Sequence, residues 1–421
     1  MTYTTSKYIK RAQQCIAVVE WNWVGHHPMY FANFVVALEE LGCDVLAVCP
    51  HQDEARKRIE ELRQLRGTGQ NAMGHIYYRD IVPVTLRHRR LLRGCLGAID
   101  LAIRHFRGIE GTAKEWQIAT GKRLDLIFHA CVYDGEFQWI HCVQPFLSLP
   151  WAGLYLHAMS FRMPGQPNPK TGRLPSPERL FSGSLCKGIA ILDEGIAGDV
   201  AAVTGKPVVV FPDLTDEHLP APADGQMLAD RMKRWAGGRP IVGLFGYLQP
   251  SKGMMPLLLA SRHPSLAQVC FAFGGEIHWP LFTAPERQTI DEVLSENHNT
   301  WNHFTRIPGE AQLNALLATC DILYAAYLDF PHSSGILTKA ALLHKPILVS
   351  DGHLMAERVR QFSLGAVVPQ GDVEALIAVI TRLTKDPAAW MTQNPPRWTD
   401  FMRTHSFDRL KQALDELLTL L

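Results

Sequence analysis

The chain has 421 residues, of which 47% are hydrophobic and 20% are charged, and its formal net charge is +1. This balance is typical of a folded globular protein and excludes both a disordered chain and one that coats nucleic acid through excess positive charge. The length exceeds that of one ordinary hydrophobic core and predicts two domains.

Short apolar runs alternate with segments of helical periodicity along most of the chain, which predicts an α/β fold with parallel sheets. In the first half, the apolar runs predict strands at 15–21, 44–49, 75–79, 124–128, 153–157, 188–192 and 208–211. The helical segments between them include 28–41, 53–65 and 91–106. The second half repeats this plan, with strands predicted at 240–245, 269–273, 303–306, 322–326, 347–350 and 366–368. Its helices are predicted to begin near Gly253, Pro285, Gly309, Ser334, His353 and Asp372.

The stretch 215–239 is polar and rich in proline, alanine and glycine, so we place the joint between the domains there. This predicts an N-terminal domain at 1–214 and a C-terminal domain that begins at 215. Nine cysteines lack paired spacing and indicate a reduced, cytoplasmic protein without a disulfide frame or a zinc site. No apolar run approaches the roughly 20 residues of a membrane span.

Ligands of open parallel sheets bind beyond the C-terminal ends of the strands, so the residues that follow the predicted strands are candidates. Gly25 and His26 follow the first strand in a turn before a helix, where glycine permits a close backbone approach to a ligand. An ordinary turn explains the same pattern. His157 ends a strand and is suited either to a substrate hydrogen bond or to proton transfer, although a structural role is the competing interpretation.

The second half has two further candidates. Lys252 stands at the start of a helix after the glycine-bounded end of a strand, where its ammonium either pairs with a phosphate or is solvated. The turn 332–335 begins the helix near Ser334, so free N–H groups and the positive end of the helix dipole favour an anion there. Serine is also a good helix cap without any ligand.

Positive charge is concentrated in one part of the N-terminal half. The residues that carry this charge are Arg87, Arg89, Arg90 and Arg93. Such a cluster suits a peripheral contact with the anionic inner face of the membrane or an acidic acceptor. A solvated basic helix face is the alternative interpretation.

Six segments, taken together and in this order, carry a resemblance to a known family: GHHPMYFANFVVALEELGCDV, LYLHAMSFR, GIAILDEGIAGDVAAVTGKPVVVFPD, GLFGYLQPSKG, CDILYAAYLDFPHSSGILTKAALLHKP and MRTHSFDRLKQALDELL. They resemble the glycosyltransferases of the GT-B fold, of the retaining family 4 (group 1) type, over nearly the whole chain. The resemblance implies two Rossmann-like, doubly wound parallel-sheet domains that face a cleft. It also implies a last helix, near 407–420, that crosses back to the first domain. The N-terminal domain, 1–214 with 400–421, would bind the acceptor, and the C-terminal domain, 215–399, would bind the donor nucleotide.

Site residues follow from this resemblance. His157 matches the histidine near the reacting sugar, and Lys252 matches the lysine that neutralises the leaving diphosphate, so both are predicted to be catalytic. The family's Glu-x7-Glu motif is degenerate here, because Pro331 and Lys339 occupy the positions of its acids. Tyr247 stands where the family has arginine. The predicted donor-binding residues are Gly25, His26, Gly246, Tyr247, Gly275, Glu276, Arg306, His332, Ser333, Ser334, Gly335 and Lys339.

The two departures from the family predict altered nucleotide recognition. Arg306, or His26 together with His27, is a candidate for the missing cation, and Glu276 or Asp329 for the missing acid. Lys339 cannot replace an acid directly, because an ammonium donates hydrogen bonds and accepts none.

The leading hypothesis is a cytoplasmic glycosyltransferase that moves a sugar from a nucleotide-sugar donor to an acceptor, with retention of configuration. It needs no cofactor, metal or nucleic acid, and the acceptor is a glycan, a lipid or a small molecule. The first alternative is a weak or inactive GT-B protein that binds a nucleotide sugar or glycan and partners another transferase. The second is a nucleotide-sugar epimerase, which would need acid/base carboxylates that the matched motifs lack.

Overall fold

The computed structural model describes residues 14–23, 25–67, 74–81, 95–132, 147–156, 158–163, 178–217 and 226–421. The described strands are β1 (Cys15–Val19), β2 (Asp44–Cys49), β3 (Ile76–Asp80), β4 (Leu126–Val132), β5 (Trp151–Tyr155), β6 (Cys186–Ile191), β7 (Val208–Val210), β8 (Ile241–Phe245), β9 (Cys270–Gly274), β10 (Thr300–His303), β11 (Ile322–Ala325), β12 (Ile347–Ser350) and β13 (Gly365–Val368). Each overlaps a predicted strand.

The described helices alternate with these strands. They are α1 (His27–Glu40), α2 (Gln52–Arg66), α3 (Cys95–Thr120), α4 (Met159–Arg162), α5 (Glu178–Phe181), α6 (Ala197–Thr204), α7 (Gln226–Ala236), α8 (Met254–Ser261), α9 (Ala284–Glu296), α10 (Glu310–Thr319), α11 (Gly335–Leu342), α12 (Leu354–Phe362), α13 (Val373–Lys385), α14 (Pro387–Gln393), α15 (Trp398–Thr404) and α16 (Phe407–Leu418). Within the described residues, none of these helices is long and apolar enough to cross a membrane.

The chain divides into two compact units, which we call unit 1 (Met1–Pro212 with Ser406–Leu421) and unit 2 (Asp213–His405). The sheet of unit 1 has the order β3-β2-β1-β4-β5-β6-β7, and that of unit 2 has the order β10-β9-β8-β11-β12-β13. Every pairing described in either sheet is parallel. The prediction of two doubly wound α/β sheets is therefore confirmed.

The central strands are buried on both faces, as parallel strands covered by helices must be. All residues of β1 and β8 are buried, and their sequences, CIAVV and IVGLF, are continuous apolar runs. In each sheet the strand order reverses between a pair of central strands, β1 and β4 in unit 1 and β8 and β11 in unit 2. A crevice forms beyond the carboxyl ends of the strands at such a switch point, and ligands of doubly wound sheets bind there.

The last helix, α16, belongs to unit 1, which confirms the predicted crossing back. Ser406 caps its N-terminus by accepting a hydrogen bond from the Arg409 N–H at 3.2 Å. Lys411 of α16 and Arg66 of α2 donate to the Glu40 carboxylate at 2.8 and 2.7 Å. Burial raises the pKa of Glu40, but hydrogen bonds from Arg66 and Lys411 outweigh it, and the net pKa lies below its ordinary value.

One predicted strand is wrong in position. The sequence predicts 303–306, whereas β10 is Thr300–His303 and pairs with β9 from Thr300 to His303. This strand lies at the edge of the sheet and is only partly buried, so its own sequence carries a weak apolar signal. Phe304, which lies in the predicted strand, and the nearby Ile307 pack on the core from the loop that follows β10.

Two histidines in unit 1, the buried His129 and the partly buried His105, are expected to make its stability depend on pH. Burial lowers the pKa of His129 to about 3, and burial together with the charge of His129 lowers the pKa of His105 to about 3. In the unfolded chain both histidines take up a proton near pH 6.5, which the folded state resists. The contribution of the two neutral histidines to the free energy of unfolding is therefore complete above pH 6.5. It is lost as the pH falls from 6.5 towards 3.

We expect the free energy of unfolding to fall by about 1.4 kcal/mol per pH unit for each histidine between these limits. Urea titrations at pH 7.5 and 5.0 would measure this loss, and His129→Leu should remove about half of it. The matched control, His298→Gln, replaces an exposed histidine and should keep the full loss. An equal loss in wild type and His129→Leu would contradict the assignment.

Candidate functional site

Two glycines follow neighbouring strands of unit 2, one of which, β8, borders the switch point. Gly246 follows β8 with a φ of 117°, and Gly275 follows β9 with a φ of 127°. A Cβ atom on Gly275 would lie 1.9 Å from the carbonyl oxygen of Gly246, so no side chain fits between the two loops. The Gly275 N–H donates to the His303 carbonyl at 2.9 Å. The close contact explains why glycine is needed at position 275, and the positive φ of Gly246 explains it at position 246, where a Cβ atom would meet no neighbour.

Tyr247 and His278 form a polar aromatic pair beside these glycines. The Tyr247 hydroxyl hydrogen-bonds His278 Nδ1, and their ring centroids lie 5.5 Å apart. Tyr247 is 44% exposed, so one face of its ring remains available to solvent or to a ligand. The Tyr247 side chain is thus oriented by His278.

Lys252 ends a 3₁₀ turn, Pro250–Lys252, between β8 and α8. Its ammonium lies 3.8 Å from the ring centroid of Tyr327 and 4.7 Å from that of Phe330, both in the loop after β11. Such cation–π contacts stabilise a charge while leaving its N–H groups free to bind an anion. Backbone contacts fix this arrangement, because the Leu328 N–H donates to the Ser251 carbonyl at 2.8 Å. The loops after β8 and β11 are therefore joined.

Helix α11 begins at Gly335, the last residue of the turn His332-Ser333-Ser334-Gly335. Ser334 is its N-cap residue, yet no side chain caps the helix. Gly335, the first residue of the helix, is exposed, whereas Ile336 and Leu337 are buried and the Leu337 N–H donates to the Ser334 carbonyl at 2.8 Å. The exposed helix start is the element on which the prediction of an anion site rests, and the site itself stays a prediction.

The side chain of Ser333 has a different role from that element. Its hydroxyl donates to the Asp213 carboxylate and accepts a hydrogen bond from Arg358 Nη1 at 2.8 Å. Arg358 is completely buried and pairs with Asp213 at 3.3 Å, and the Asp213 N–H donates to His405 Nδ1 at 3.0 Å. The Ser333 hydroxyl therefore anchors the turn to the interior of unit 2, and the turn presents its backbone outward.

Lys339 is only 7% exposed, and its ammonium is held by α10. It donates to Asn314 Oδ1 at 2.7 Å and pairs with Glu310 Oε2 at 2.8 Å. The Glu310 side chain is 48% exposed, whereas Asn314 is completely buried. A carboxylate is thus present beside Lys339 after all, but it comes from the first residue of α10.

The other predicted donor-binding residues of unit 2 lie in loops near the ends of its strands. Glu276 and Arg306 are exposed, in the loops after β9 and β10. Asp329 is a further candidate from the sequence; it has a positive φ of 47° and exchanges hydrogen bonds of 2.8 and 3.0 Å with Gln370. His332 packs edge-on against Phe330, with ring centroids 5.8 Å apart.

Gly25 and His26 lie in unit 1, at the turn between β1 and α1. Gly25 has a φ of 62°, and a Cβ atom there would meet no neighbour, so its backbone conformation is what favours glycine. His26 is the N-cap residue of α1 and stacks on His27 with ring centroids 5.1 Å apart. His157 and the four arginines Arg87, Arg89, Arg90 and Arg93 lie outside the described residues.

Comparison with known proteins rests on structure alone, because no family model and no curated protein sequence matches the chain. The structure is similar to that of Anabaena HepE in complex with UDP and glucose, with a TM-score of 0.64, 16% identity, and coverage of 97% of this chain and 100% of HepE. Sucrose-phosphate synthase from Thermosynechococcus elongatus gives a TM-score of 0.64 and 14% identity, covering 97% and 98% of the two chains. A glycosyltransferase from Rickettsia africae gives 0.65 and 13%, with the same coverage.

The chain has the GT-B fold. These GT-B proteins match it from end to end, which agrees with the two doubly wound sheets and with the crossing of α16 back to unit 1. At such low identity the likeness establishes the fold and assigns no residue of this chain. Site assignments in this GT-B protein therefore rest on the contacts described above.

The structure adds residues that the sequence analysis missed. They are Asp213, His278, Glu310, Asn314, Tyr327, Phe330 and Arg358. Asp213 and Arg358 are 120 and 25 residues from Ser333, and no local pattern links them. His278 had a usable signal, since it follows Glu276 by two residues in a loop already considered. Tyr327 and Phe330, the two aromatic residues that contact Lys252, lie in the sequence YLDF after β11, which was a usable signal as well.

Proposed function

We propose that this protein is a glycosyltransferase that moves a sugar from a nucleotide-sugar donor to an acceptor. The observation that carries the proposal is the assembly at the β8–β11 switch point of unit 2: a glycine-lined backbone, the Lys252 ammonium and the uncapped N-terminus of α11. All three suit a diphosphate. HepE, a protein of the same fold, is described in complex with UDP-glucose, which supports this class of ligand.

In the proposed reaction, the bond between the sugar C1 and the diphosphate oxygen breaks, and its electron pair leaves with the diphosphate. Lys252 and the N–H groups of α11 stabilise the negative charge that develops on that oxygen, so the step requires no metal. The acceptor hydroxyl attacks C1 from the same face and gives its proton to a diphosphate oxygen. This sequence balances charge without a protein base and retains the configuration at C1.

Nucleotide recognition in this proposal uses Glu310. In family 4 an acid at the position of Lys339 accepts hydrogen bonds from the ribose hydroxyls. Here Lys339 holds the Glu310 carboxylate at 2.8 Å, and that carboxylate is half exposed at the start of α10. Glu310 therefore supplies the acceptor oxygens, and Lys339 orients it.

The second candidate function is donor binding without efficient transfer. Two observations favour it: the Ser333 and Lys339 side chains are engaged inside unit 2, and Tyr247 is neutral where a cation is expected. A protein of this kind would bind a nucleotide sugar and release little nucleoside diphosphate.

The test is to titrate the full-length protein with a panel of nucleotide sugars by calorimetry, and to follow nucleoside diphosphate release in parallel. Binding together with release supports the transferase, and the configuration of the product at C1, read by NMR, tests retention. Binding without release supports the second candidate. A donor epimerised without release, or no binding to any nucleotide sugar, would contradict both.

A further inference from the structure

A second cluster of ligand-type side chains lies in unit 1. Among the described residues, Glu20, His27 and Cys131 are the one group of three whose ligand atoms, a carboxylate oxygen, an imidazole nitrogen and a thiol sulfur, all lie within 4.8 Å of one another. The three residues are 2%, 3% and 5% exposed. Buried, mixed oxygen, nitrogen and sulfur donors at this separation are the ligand set of zinc-class cations.

Fold topology brings these residues together. Glu20 directly follows β1, His27 is the first residue of α1, and Cys131 lies near the end of β4. Because β1 and β4 are the neighbours between which the strand order reverses, the cluster lies at the switch point of unit 1. The three side chains thus come from two adjacent strands and one helix start, and each is fixed by secondary structure.

The hydrogen bonds of Glu20 already orient the group. Its Oε1 accepts from the N–H groups of Trp21 and Asn22, both at 2.9 Å, and its Oε2 lies 2.8 Å from His27 Nδ1. Carboxylate ligands of metals are commonly fixed by such outer hydrogen bonds. Among the described residues, His27 is the one ionisable cationic group paired with Glu20.

Charge balance favours a divalent ion at this position. A buried carboxylate is costly unless its charge is compensated. A divalent cation bound by the Glu20 carboxylate, the Cys131 thiolate and neutral His27 gives a cluster with no net charge. Tetrahedral coordination at about 2.0–2.3 Å from each ligand would place the three ligand atoms about 3.5 Å apart, and in the structure all three lie within 4.8 Å of one another.

We propose that Glu20, His27 and Cys131 bind a zinc-class divalent cation. On binding, the Cys131 thiol releases its proton to solvent, and the proton shared by His27 Nδ1 and Glu20 Oε2 is released to solvent as well, so that the metal lies between neutral His27, the Glu20 carboxylate and the Cys131 thiolate. The ion closes the short segment from Glu20 to His27, which contains Gly25 and His26. The site thereby fixes the turn between β1 and α1.

The experiment uses the full-length protein and Co²⁺ and Zn²⁺ as probes. The metal-free protein, prepared by dialysis against a chelator, is titrated with Co²⁺ while the thiolate-to-cobalt charge-transfer absorption is recorded, and Zn²⁺ then displaces the cobalt. We expect one equivalent to bind, with a thiolate band and a rise in melting temperature. Cys131→Ser should abolish the band and weaken Zn²⁺ binding by at least about 100-fold.

The matched control is Cys186→Ser, which alters another buried cysteine of unit 1 and should keep the band and the affinity. His27→Gln and Glu20→Gln are expected to weaken binding while the Cys131 thiol stays in place, so a folding defect at Cys131 cannot imitate the result. Absence of a thiolate band in the wild-type protein would overturn the proposal. So would a band that persists in Cys131→Ser, since the metal would then bind elsewhere.

Discussion

Replacement of Lys252 by alanine is expected to slow the release of nucleoside diphosphate from a donor sugar by about 100-fold or more, because removal of one preorganised donor from a developing oxyanion typically costs that much. Lys252 is the cation that the structure places at the β8–β11 switch point, against Tyr327 and Phe330. The measurement is single-turnover release with the donor found in the binding screen. Because the ammonium is only part-buried and pairs with no carboxylate among the described residues, the variant should unfold at nearly the wild-type urea concentration.

Two further variants separate chemistry from fold. Lys252→Arg keeps the positive charge and should retain a larger share of the rate than alanine, although a planar guanidinium is not equivalent to an ammonium. Lys385→Ala removes an exposed lysine at the end of α13 and should leave the rate unchanged. A Lys252→Ala protein that releases diphosphate at the wild-type rate would show that this lysine does not meet the leaving group.

Arg358→Met is expected to destabilise unit 2 by about 3–5 kcal/mol, the usual cost of removing one partner of a buried ion pair. The side chains of Arg358 and Asp213 are 1% and 6% exposed, so the carboxylate left behind would be buried without its cation. Urea unfolding followed in unit 2 measures the loss. Arg382→Met, which replaces an exposed arginine on α13, is the control and should unfold as wild type does.

A double variant tests the cause of that loss. Adding Asp213→Asn to Arg358→Met removes the unpaired charge while keeping a side chain that hydrogen-bonds Ser333. If the loss of unfolding free energy in Arg358→Met comes from the buried Asp213 carboxylate that has lost Arg358, the double variant should be more stable than Arg358→Met alone. Additive losses would instead assign the effect to lost packing around Arg358. In either case donor binding should weaken with the single variant, because the pair anchors the turn before α11.

The sequence predicted the number of strands and the fold class because buried parallel strands are continuous apolar runs, such as CIAVV and IVGLF. The glycines, the lysine and the small-residue turn that follow those strands also led to the prediction of an anion site, which the binding experiments above test. The strand at 303–306 was misplaced because an edge strand is selected by its partner, here β9, more than by its own pattern.

The roles of single side chains were less predictable. Ser333 looked like a phosphate ligand, but its hydroxyl is bonded to Asp213, which is 120 residues away in the chain. Lys339 looked like the loss of an acid, yet it holds the carboxylate of Glu310 from the neighbouring helix. Both outcomes depend on contacts between distant segments, and no periodicity or spacing within one segment encodes them.

Because α16 belongs to unit 1, the ribosome completes the sequence of unit 1 only after it has translated all of unit 2. Domains generally fold in order as they leave the ribosome, but unit 1 cannot be completed in that order, because its last helix is translated after all of unit 2. Until then, the surface of unit 1 that packs against Leu410, Leu414 and Leu417 stays uncovered. It includes Gly188, where Leu417 packs so closely that a Cβ atom would lie 2.7 Å from it. A nascent chain arrested anywhere before residue 406 would therefore expose this apolar surface and be a substrate for chaperones or proteases.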